Sequence, residues 1–318
     1  MLFCMEIDFI KCHGSGNEFV MADAVRQDLS AISLPLLARA ACDHRNGIGA
    51  DGLLVLVRNA GQGYGMRMFN PDGSEAEMCG NGIRCIARAA QKYCGRGRFV
   101  LASGGREYAI ERQDELAKGV PTFGVRIPVG LQSDDFAMFS SDEEFVARPI
   151  AELDGNLLFT AINVGNPHIV AQVGRIDYDL LGRLGEKVVR LPQIFPHGVN
   201  VSLVEVRRRN EIFVATYERG AGITASCGTA MTSSATAMAL AGECDFDSRI
   251  EVLNRGGMVH CRCSREGGLT TTLVGNATYE YRGWMSLEEK GLRFEVDRVY
   301  RAEQAAYDKF LEDLQGRI

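Results

Sequence analysis

Two short segments of this chain repeat one another, and each has a Cys-Gly pair at its centre. The first segment is EMCGNG at residues 77–82, and the second is ASCGTA at residues 225–230. Each is followed by a long stretch rich in small residues, which predicts a helix that begins beside the cysteine. A helix N-terminus carries the positive end of the macrodipole and unpaired backbone N–H groups, which favour the thiolate form of a cysteine placed there. The repeat therefore predicts two like-folded regions, each presenting a reactive thiol.

The elements that precede the two cysteines also follow one order. Before the first cysteine, strands are predicted at residues 53–57 and 65–69, and a turn-rich loop follows them. Before the second cysteine, strands at residues 199–206 and 212–217 lead into a Gly-rich loop. We interpret this order as an internal duplication that gives two halves of α/β type. The two thiols are then expected to meet in the cleft between the halves, where ligand sites often form.

The two predicted helices differ in polarity. The helix over 79–94 is amphipathic, with basic residues at every fourth position from Arg84 to Lys92. The helix over 227–242 contains no charged residue, so it is predicted to be buried, and Gly242 suits its C-terminal cap.

Composition limits the class of protein. The chain has 318 residues, 46% of them hydrophobic, which is enough for a substantial core and two domains. A net charge of −6 argues against a nucleic-acid-binding protein. No stretch reaches the roughly 18 uninterrupted apolar residues that a membrane helix needs. Because Glu6, Asp8 and Lys11 also come too early for a signal peptide, we predict a cytoplasmic protein.

The ten cysteines are spread along the chain, which predicts reduced thiols in a protein without a secretion signal. The best local cluster of metal-ligand types is at residues 260–263, but no CxxC pair completes it and the stretch alternates like a strand. We therefore predict no metal site. The sequence also lacks a GxGxxG loop, a P-loop and any sign of a pyridoxal site, so no cofactor is expected.

A pair of thiols at helix starts fits the removal of a proton from the α-carbon of an amino acid. Without a cofactor, this reaction needs a base close to the carbon, hydrogen-bond donors on the carboxylate and exclusion of water. The backbone N–H groups at 80–81 and 228–229 could converge on one carboxylate. A thiolate on one face and a thiol on the other would then invert the stereocentre.

The chain resembles the diaminopimelate epimerase family over residues 7–284. Eight motifs occur in the order found in that family: KCHGSGNEF (11–19), GIGADG (47–52), FNPDGSE (69–75), MCGNGIRC (78–85), GNPH (165–168), GVNV (198–201), ERGAG (218–222) and CGT (227–229). The related proline racemases and hydroxyproline epimerases share the two-cysteine plan but usually have His where this chain has Asn81.

The resemblance implies an α/β (α+β) fold with two pseudo-symmetric domains, each a curved mixed sheet, or half-barrel, around a central helix. The N-terminal domain would comprise residues 1–127 and about 276–290 and carry Cys79, and residues 128–275 would form the C-terminal domain and carry Cys227. Residues 291–318 would add a C-terminal helix. A homodimer without metal or cofactor is also implied.

The resemblance further implies a role for each matching residue. Cys79 and Cys227 would be the acid–base pair, and His168 and Glu218 would support proton transfer and the substrate ammonium group. The residues that would hold the body of the substrate are Asn17, Asn70, Asn166, Asn200, Glu218 and Arg219. The residues that would bind the reacting carboxylate are Gly80, Asn81, Gly228 and Thr229.

The implied reaction is the conversion of LL-diaminopimelate to the meso form, within lysine and peptidoglycan precursor synthesis. A racemase of another amino acid, such as histidine, is the alternative within the class, although the residues for a distal amino-acid group are all present. An alternative from another class is a non-catalytic amino-acid-binding or thiol redox protein. Positions that depart from the usual residues of the family are Gly52, Ile223, Ser226, Ala230 and Asn276. Three of them flank Cys227 and bear on substrate preference.

Overall fold

The computed structural model describes residues 5–59, 61, 63–95, 97–131, 136, 144–289 and 291–318. One of the ten cysteines, Cys4, lies outside the described residues. The chain forms two compact units. Unit 1 comprises the residues up to Val125 together with Gly275–Asp313, and unit 2 comprises Arg126–Val274 together with Leu314–Ile318.

The first ten elements, which end at the boundary between the two units, are β1 (Ile7–Gly14), β2 (Asn17–Asp23), α1 (Leu34–Cys42), β3 (Gly52–Asn59), β4 (Gly63–Phe69), β5 (Glu75–Ala76), α2 (Gly80–Cys94), β6 (Arg98–Ser103), β7 (Arg106–Gln113) and β8 (Thr122–Pro128). The following segment contains β9 (Arg148–Ile150), β10 (Asp154–Asn163), β11 (Pro167–Val173), α3 (Tyr178–Val189), β12 (Asn200–Arg208), β13 (Glu211–Glu218), β14 (Gly222–Thr224), α4 (Gly228–Leu240), β15 (Ile250–Asn254), β16 (Gly257–Ser264) and β17 (Thr270–Asn276). The chain ends with β18 (Thr278–Glu288), β19 (Gly291–Val299) and α5 (Arg301–Asp313).

The strand pairings of the two units repeat one another. In unit 1, β1 and β2 are antiparallel, β2 and β3 are parallel across α1, β3 and β4 are antiparallel, and β4 and β6 are parallel across α2. In unit 2, the same order joins β10 to β11, β11 to β12 across α3, β12 to β13, and β13 to β15 across α4. The predicted duplication and the pseudo-symmetric α/β fold are therefore confirmed.

Helix α4 is the central helix of unit 2. It contacts β10, β11, β12, β13, β15 and β16, and all of its residues except the last are buried. A helix that is surrounded on all sides needs no polar face, which explains the run of Ala, Ser, Thr and Met. The chain leaves the helix through Gly242, whose φ of +81° is a conformation that glycine adopts without strain.

Each unit has its own apolar core. In unit 1, α1 packs on the strands through residues such as Leu37, Leu53 and Phe69. In unit 2, α3 packs on β12 and its neighbours through residues such as Leu184 and Leu203. The first five residues of β3 and of β12 are all buried, so both faces of each strand are covered there.

The C-terminal extension differs from the helix expected over 291–318. The structure has strand β19 over the first nine of these residues, and the helix begins only at Arg301. In this stretch Leu292, Phe294 and Val296 alternate with charged residues, which is the two-residue period of a strand. Pairing with β18 in an antiparallel register then fixes the stretch as extended.

The described helices include none with the length and apolar composition required to cross a bilayer.

Candidate active site

Cys79 lies at the N-terminus of α2, as predicted. It is the N-cap residue, with extended backbone angles, and its Sγ accepts a hydrogen bond from the backbone N–H of Gly82 at 3.3 Å. The thiol also lies 3.9 Å from Oδ1 of Asn17, to which it donates. A hydrogen-bond donor from the first turn of the helix is therefore already directed at the sulfur.

Asn17 is held in one orientation beside Cys79. Its Nδ2 donates to Oδ2 of Asp51 at 2.7 Å, so its Oδ1 is directed toward Cys79 and also accepts from Nδ2 of Asn81 at 3.3 Å. The structure thus brings together three predicted site residues of unit 1. Asp51 was part of a matching motif but had no predicted role, and it sets the amide orientation of Asn17.

Arg84 is fully buried, although its helical spacing placed it with the polar face of α2. Its guanidinium donates to the carbonyl oxygen of Gly80, to Oδ1 of Asn81 and to Oγ of Ser15, at 2.9–3.1 Å. The guanidinium therefore ties the first turn of α2 to the loop that carries Asn17. The periodicity of α2 could not show this, because the acceptors on Ser15 and Asn276 come from other parts of the chain.

Asn276 anchors the same loop from the other side. Its Oδ1 accepts from the backbone N–H of Ser15 at 2.7 Å, and its Nδ2 donates to Oγ1 of Thr278 at 2.9 Å. Its backbone carbonyl accepts from Nε of Arg84 at 3.1 Å. Ser15 has a φ of +55°, which is unusual for a residue other than glycine, so an anchoring partner matters there. Asn276, which differs from the usual residue of the family at this position, therefore anchors the loop that leads to Asn17.

The other predicted residue of unit 1, Asn70, has its hydrogen bonds within its own turn. Its Nδ2 donates to Oγ of Ser74 at 2.9 Å, and its backbone N–H donates to the Ser74 carbonyl at 2.8 Å. A contact of Asn70 with substrate stays a prediction.

Cys227 occupies the equivalent position in unit 2, as N-cap of α4, but its surroundings differ. Its side chain is buried, and Sγ lies 3.4 Å from Oγ1 of Thr229. Burial, the negative charge of Glu218 and a hydrogen bond to that carboxylate raise the pKa of the Cys227 thiol well above its usual range. The expectation that the helix N-terminus would favour a thiolate is therefore wrong for Cys227. Desolvation and a neighbouring carboxylate outweigh the hydrogen bonds from Thr229 and from the backbone N–H of Ala230, which lower the pKa of this thiol.

Replacing Glu218 by Gln is expected to lower the pKa of Cys227, because the neighbouring negative charge disappears while burial remains. The pH dependence of Cys227 alkylation, followed on its peptide by mass spectrometry, should shift to lower pH. The control is Glu266→Gln, at an exposed position of the same unit. An unchanged midpoint in Glu218→Gln would show that Glu218 does not hold the proton on this thiol.

His168 reaches Cys227 through a chain of hydrogen bonds. Its Nε2 lies 3.0 Å from Oδ1 of Asn166, and Nδ2 of Asn166 donates to Oγ1 of Thr229 at 3.3 Å. Because Asn166 offers its oxygen to the ring, Nε2 is assigned as the protonated nitrogen. Burial and the charge of Arg219 lower the pKa of His168 to about 3, so the imidazole is neutral near pH 7. His168 therefore suits the orientation of Asn166 better than the donation of a proton.

Lowering the pH from 7 to 5 is expected to destabilise the fold partly through His168. Its pKa is about 3 in the folded state and about 6.5 in the unfolded chain, so the unfolded chain binds more protons between these values. The stability that the fold has because His168 is neutral is complete above pH 6.5, and it is lost as the pH falls toward 3. One such group changes the free energy of unfolding by about 2 kcal/mol between pH 6.5 and 5.

The test is urea unfolding at pH 7 and pH 5. In His168→Gln, the difference in the free energy of unfolding between the two pH values should be smaller by this amount than in the unsubstituted protein. The exposed His197→Gln should behave like the unsubstituted protein. Equal pH dependence in all three proteins would contradict a neutral, buried His168.

Asn200 and Arg219 are joined to the same cluster. Asn200 is the direct register partner of His168 in the parallel pair of β11 and β12, and its Nδ2 donates to the carbonyl of Pro167, the residue before that histidine, at 3.2 Å. Its Oδ1 accepts from the backbone N–H of Arg219 at 2.9 Å, and the Arg219 guanidinium donates to the carbonyl of His197. Glu218 accepts from the hydroxyl of Thr224, a residue for which no role was predicted.

The three departures around Cys227 have different surroundings. Ile223 is exposed, and Ala230 is fully buried in α4. Ser226 accepts a hydrogen bond from Nδ2 of Asn254 at 3.0 Å. Ile223 therefore presents the most exposed of the three changes, and Ser226 is half-buried. Within the described part of the chain, no group of three or more His, Cys, Asp or Glu side chains could hold a metal ion.

Comparison with known proteins gives a consistent result. The diaminopimelate epimerase family model matches residues 9–123 and 160–280. A diaminopimelate epimerase from Clostridium acetobutylicum is 35% identical over 317 residues, which covers 98% of this chain and 95% of that protein. One from Lactiplantibacillus plantarum is 37% identical, covering 98% and 99%.

Solved structures share the fold at much lower identity. A phenazine biosynthesis protein of the PhzF family from Bacillus anthracis matches with a TM-score of 0.63 at 15% identity, covering 88% of this chain and 99% of that one. A hydroxyproline epimerase from Agrobacterium vitis matches with a TM-score of 0.62 at 14% identity, covering 92% and 96%. These two matches concern the fold alone. The family model and the full-length relatives show more: this chain belongs to the diaminopimelate epimerase family of isomerases.

Proposed function

We propose that this protein converts LL-diaminopimelate to meso-diaminopimelate by a two-base proton transfer, in lysine and peptidoglycan precursor synthesis. Relatives that carry the name diaminopimelate epimerase align over almost the whole chain. The proposal includes catalysis without metal or cofactor, by Cys79 and Cys227.

The observation that carries the proposal is the contrast between the two N-cap cysteines. Cys227 is buried beside Glu218, which keeps its proton on the sulfur. Cys79 is less buried, so a negative charge on its sulfur loses less hydration than one on Cys227 would. Cys227 is thus held as the thiol, and the less buried Cys79 is the sulfur at which a thiolate costs less, which is the asymmetry that a two-base reaction needs at its start.

In the proposed reaction, the Cys79 thiolate removes the α-proton and the electron pair of the C–H bond passes to the α-carbon and its carboxylate. The Cys227 thiol then gives its proton to the opposite face of that carbon, which inverts its configuration. After turnover, Cys79 is a thiol and Cys227 is a thiolate, and exchange of protons with solvent restores the starting state. The reverse reaction uses the two sulfurs in the opposite roles.

The groups around each thiol fit a zwitterionic substrate. The backbone N–H groups at the starts of α2 and α4, in Gly80–Asn81 and Gly228–Thr229, are suited to a carboxylate that gains charge in the transition state. Glu218 is suited to the ammonium group on the reacting carbon. In the proposal, Asn70 and Arg219 contribute to binding of the distal amino-acid end, and His168 keeps Asn166 and Thr229 in place.

Proton exchange in heavy water tests this function directly. The fully reduced protein is incubated in D₂O with LL-diaminopimelate, meso-diaminopimelate, L-histidine, L-proline and trans-4-hydroxy-L-proline, and deuterium at the α-carbon is measured by mass spectrometry and NMR. Incorporation into diaminopimelate, with interconversion of its LL and meso forms, is expected.

Incorporation into histidine alone would support a histidine racemase and overturn the diaminopimelate assignment. Incorporation into no amino acid would contradict an epimerase and favour a binding or thiol redox protein. Cytoplasmic localisation and a homodimeric state remain predictions, which fractionation of the source cells and sedimentation of the purified protein can test.

A further inference from the structure

We infer that helix α5, at the C-terminal end of the chain, is a positioning element for Cys79. It acts through Glu303 on helix α2 and through Tyr307 on the loop that carries Asn17. The helix follows the region in which the family motifs occur, and the family model ends at residue 280. Its effect on turnover rests on the proposed function, but its effect on the Cys79 thiol does not.

The first contact is a partly buried ion pair between α5 and α2. Glu303 binds the guanidinium of Arg88 with both carboxylate oxygens, with Nη2 to Oε2 at 2.9 Å, and the two side chains are only 14% and 19% exposed. Arg88 lies nine residues after Cys79 on the same helix. A two-point contact of this kind fixes direction as well as distance, so it restrains the helix that presents the thiol.

The environment of this pair adds to the restraint. Oε1 of Glu303 also accepts from the backbone N–H of Tyr279 at 2.6 Å, and Nη1 of Arg88 donates to the carbonyl of Ala277 at 2.7 Å. The guanidinium carbon lies 3.6 Å from the centre of the Tyr279 ring. Glu303 therefore connects three elements of unit 1: α5, α2 and the start of β18.

The second contact covers the loop beside Cys79. Tyr307 is 5% exposed, and its ring centre lies 4.5 Å from that of His13 in an edge-on arrangement. Nδ1 of His13 accepts from the backbone N–H of Gly16 at 3.4 Å, and Asn17 follows directly. Since Oδ1 of Asn17 accepts from the Cys79 thiol, Tyr307 supports the partner of the sulfur.

The two contacts reach the Cys79 thiol along separate routes. One passes along α2 from Arg88, and the other passes through the loop from His13 to Asn17. Loss of either contact leaves the cysteine at its N-cap position but loosens the alignment of its sulfur. Misplacement by about 1 Å can cost about a hundredfold in rate. We therefore expect a fall in kcat that is larger than any rise in KM.

The test uses substitutions in the full-length protein. Glu303→Gln removes the charge but keeps the shape of the side chain, and Tyr307→Ala removes the ring. Tyr307→Phe keeps the ring and is the conservative variant, and Glu312→Gln makes the same charge change at an exposed position of α5. Circular dichroism melts establish which variants are folded at the assay temperature.

The main measurement is the rate of Cys79 alkylation by iodoacetamide between pH 6 and 9, compared with that of Cys227 on separate peptides. In Glu303→Gln and Tyr307→Ala, we expect the Cys79 rate and its pH profile to change by at least about threefold, with Cys227 unchanged, and kcat to fall by about tenfold or more. Tyr307→Phe and Glu312→Gln should match the unsubstituted protein.

Unchanged Cys79 reactivity in the folded variants would overturn the inference, as would an equal change at both cysteines, which indicates general loosening. The alkylation result does not depend on the substrate. Failure of the diaminopimelate assay with altered Cys79 reactivity would contradict the proposed function alone.

Discussion

Replacing either Cys79 or Cys227 by Ala is expected to lower the rate of epimerisation by about 10²–10⁴-fold, because one of the two proton-transfer groups is removed. The two variants should not behave alike in heavy water. A single remaining thiol can exchange the α-proton only of the stereoisomer whose C–H bond faces it, and it returns deuterium to the same face. Each variant should therefore wash deuterium into one stereoisomer without inverting it.

The measurement is α-deuterium incorporation, starting separately from the LL and the meso form, with chiral analysis of the product. The result also assigns each cysteine to a stereoisomer. The matched control is Cys94→Ala, which removes a partly buried thiol from the other end of α2 and should leave both rates unchanged. Inversion at an undiminished rate in either active-site variant would contradict the two-base reaction.

Replacing Arg84 by Met is expected to lower the free energy of unfolding by about 3 kcal/mol or more. The methionine keeps much of the volume of the side chain but leaves the buried acceptors of the guanidinium without their donor. Those acceptors include the Gly80 carbonyl, the Ser15 hydroxyl and the Asn276 carbonyl. Buried acceptors that lose a charged donor each cost about 1–3 kcal/mol.

Urea unfolding at pH 7 measures this loss, and Arg98→Met is the control because its side chain is 82% exposed. Arg84→Lys should recover only part of the stability, because an ammonium group cannot match the fork of the guanidinium. A loss below about 1 kcal/mol in Arg84→Met would show that the acceptors find other donors.

The sequence was sufficient to predict the elements that carry the chemistry. Local sequence patterns predicted the starts of the helices at Cys79 and Cys227 and the repeated order of the strands. Such predictions are correct where the local preferences of the chain agree with the tertiary fold. The run without charge after Cys227 predicted a buried helix, and α4 is buried. The matching strand pairs follow from apolar stretches bounded by turn residues.

Long-range packing decided the features that the sequence did not show. Arg84 has the helical spacing of a polar face, but acceptors that lie 69 and 192 residues away draw it into the interior. In the sequence, Asn276 is only a departure from the family pattern. Its hydrogen bond with the backbone N–H of Ser15 forms because the fold brings together residues that are 261 positions apart. The strand at residues 291–299 is a different case, because its two-residue period was visible in the sequence and its pairing with the preceding strand β18 is local.

By itself, the sequence determined that this protein presents two cysteines at the starts of two like-placed helices, with altered neighbours around Cys227. Only the tertiary structure decided how the surroundings of the two sulfurs differ in burial and charge. Cys227 is desolvated beside Glu218, whereas Cys79 is less buried and lies next to Asn17. The physical reason is that a helix start supplies a similar macrodipole and similar N–H groups in both units. The charge state of a thiol also depends on burial and on neighbours that other strands and loops bring to it.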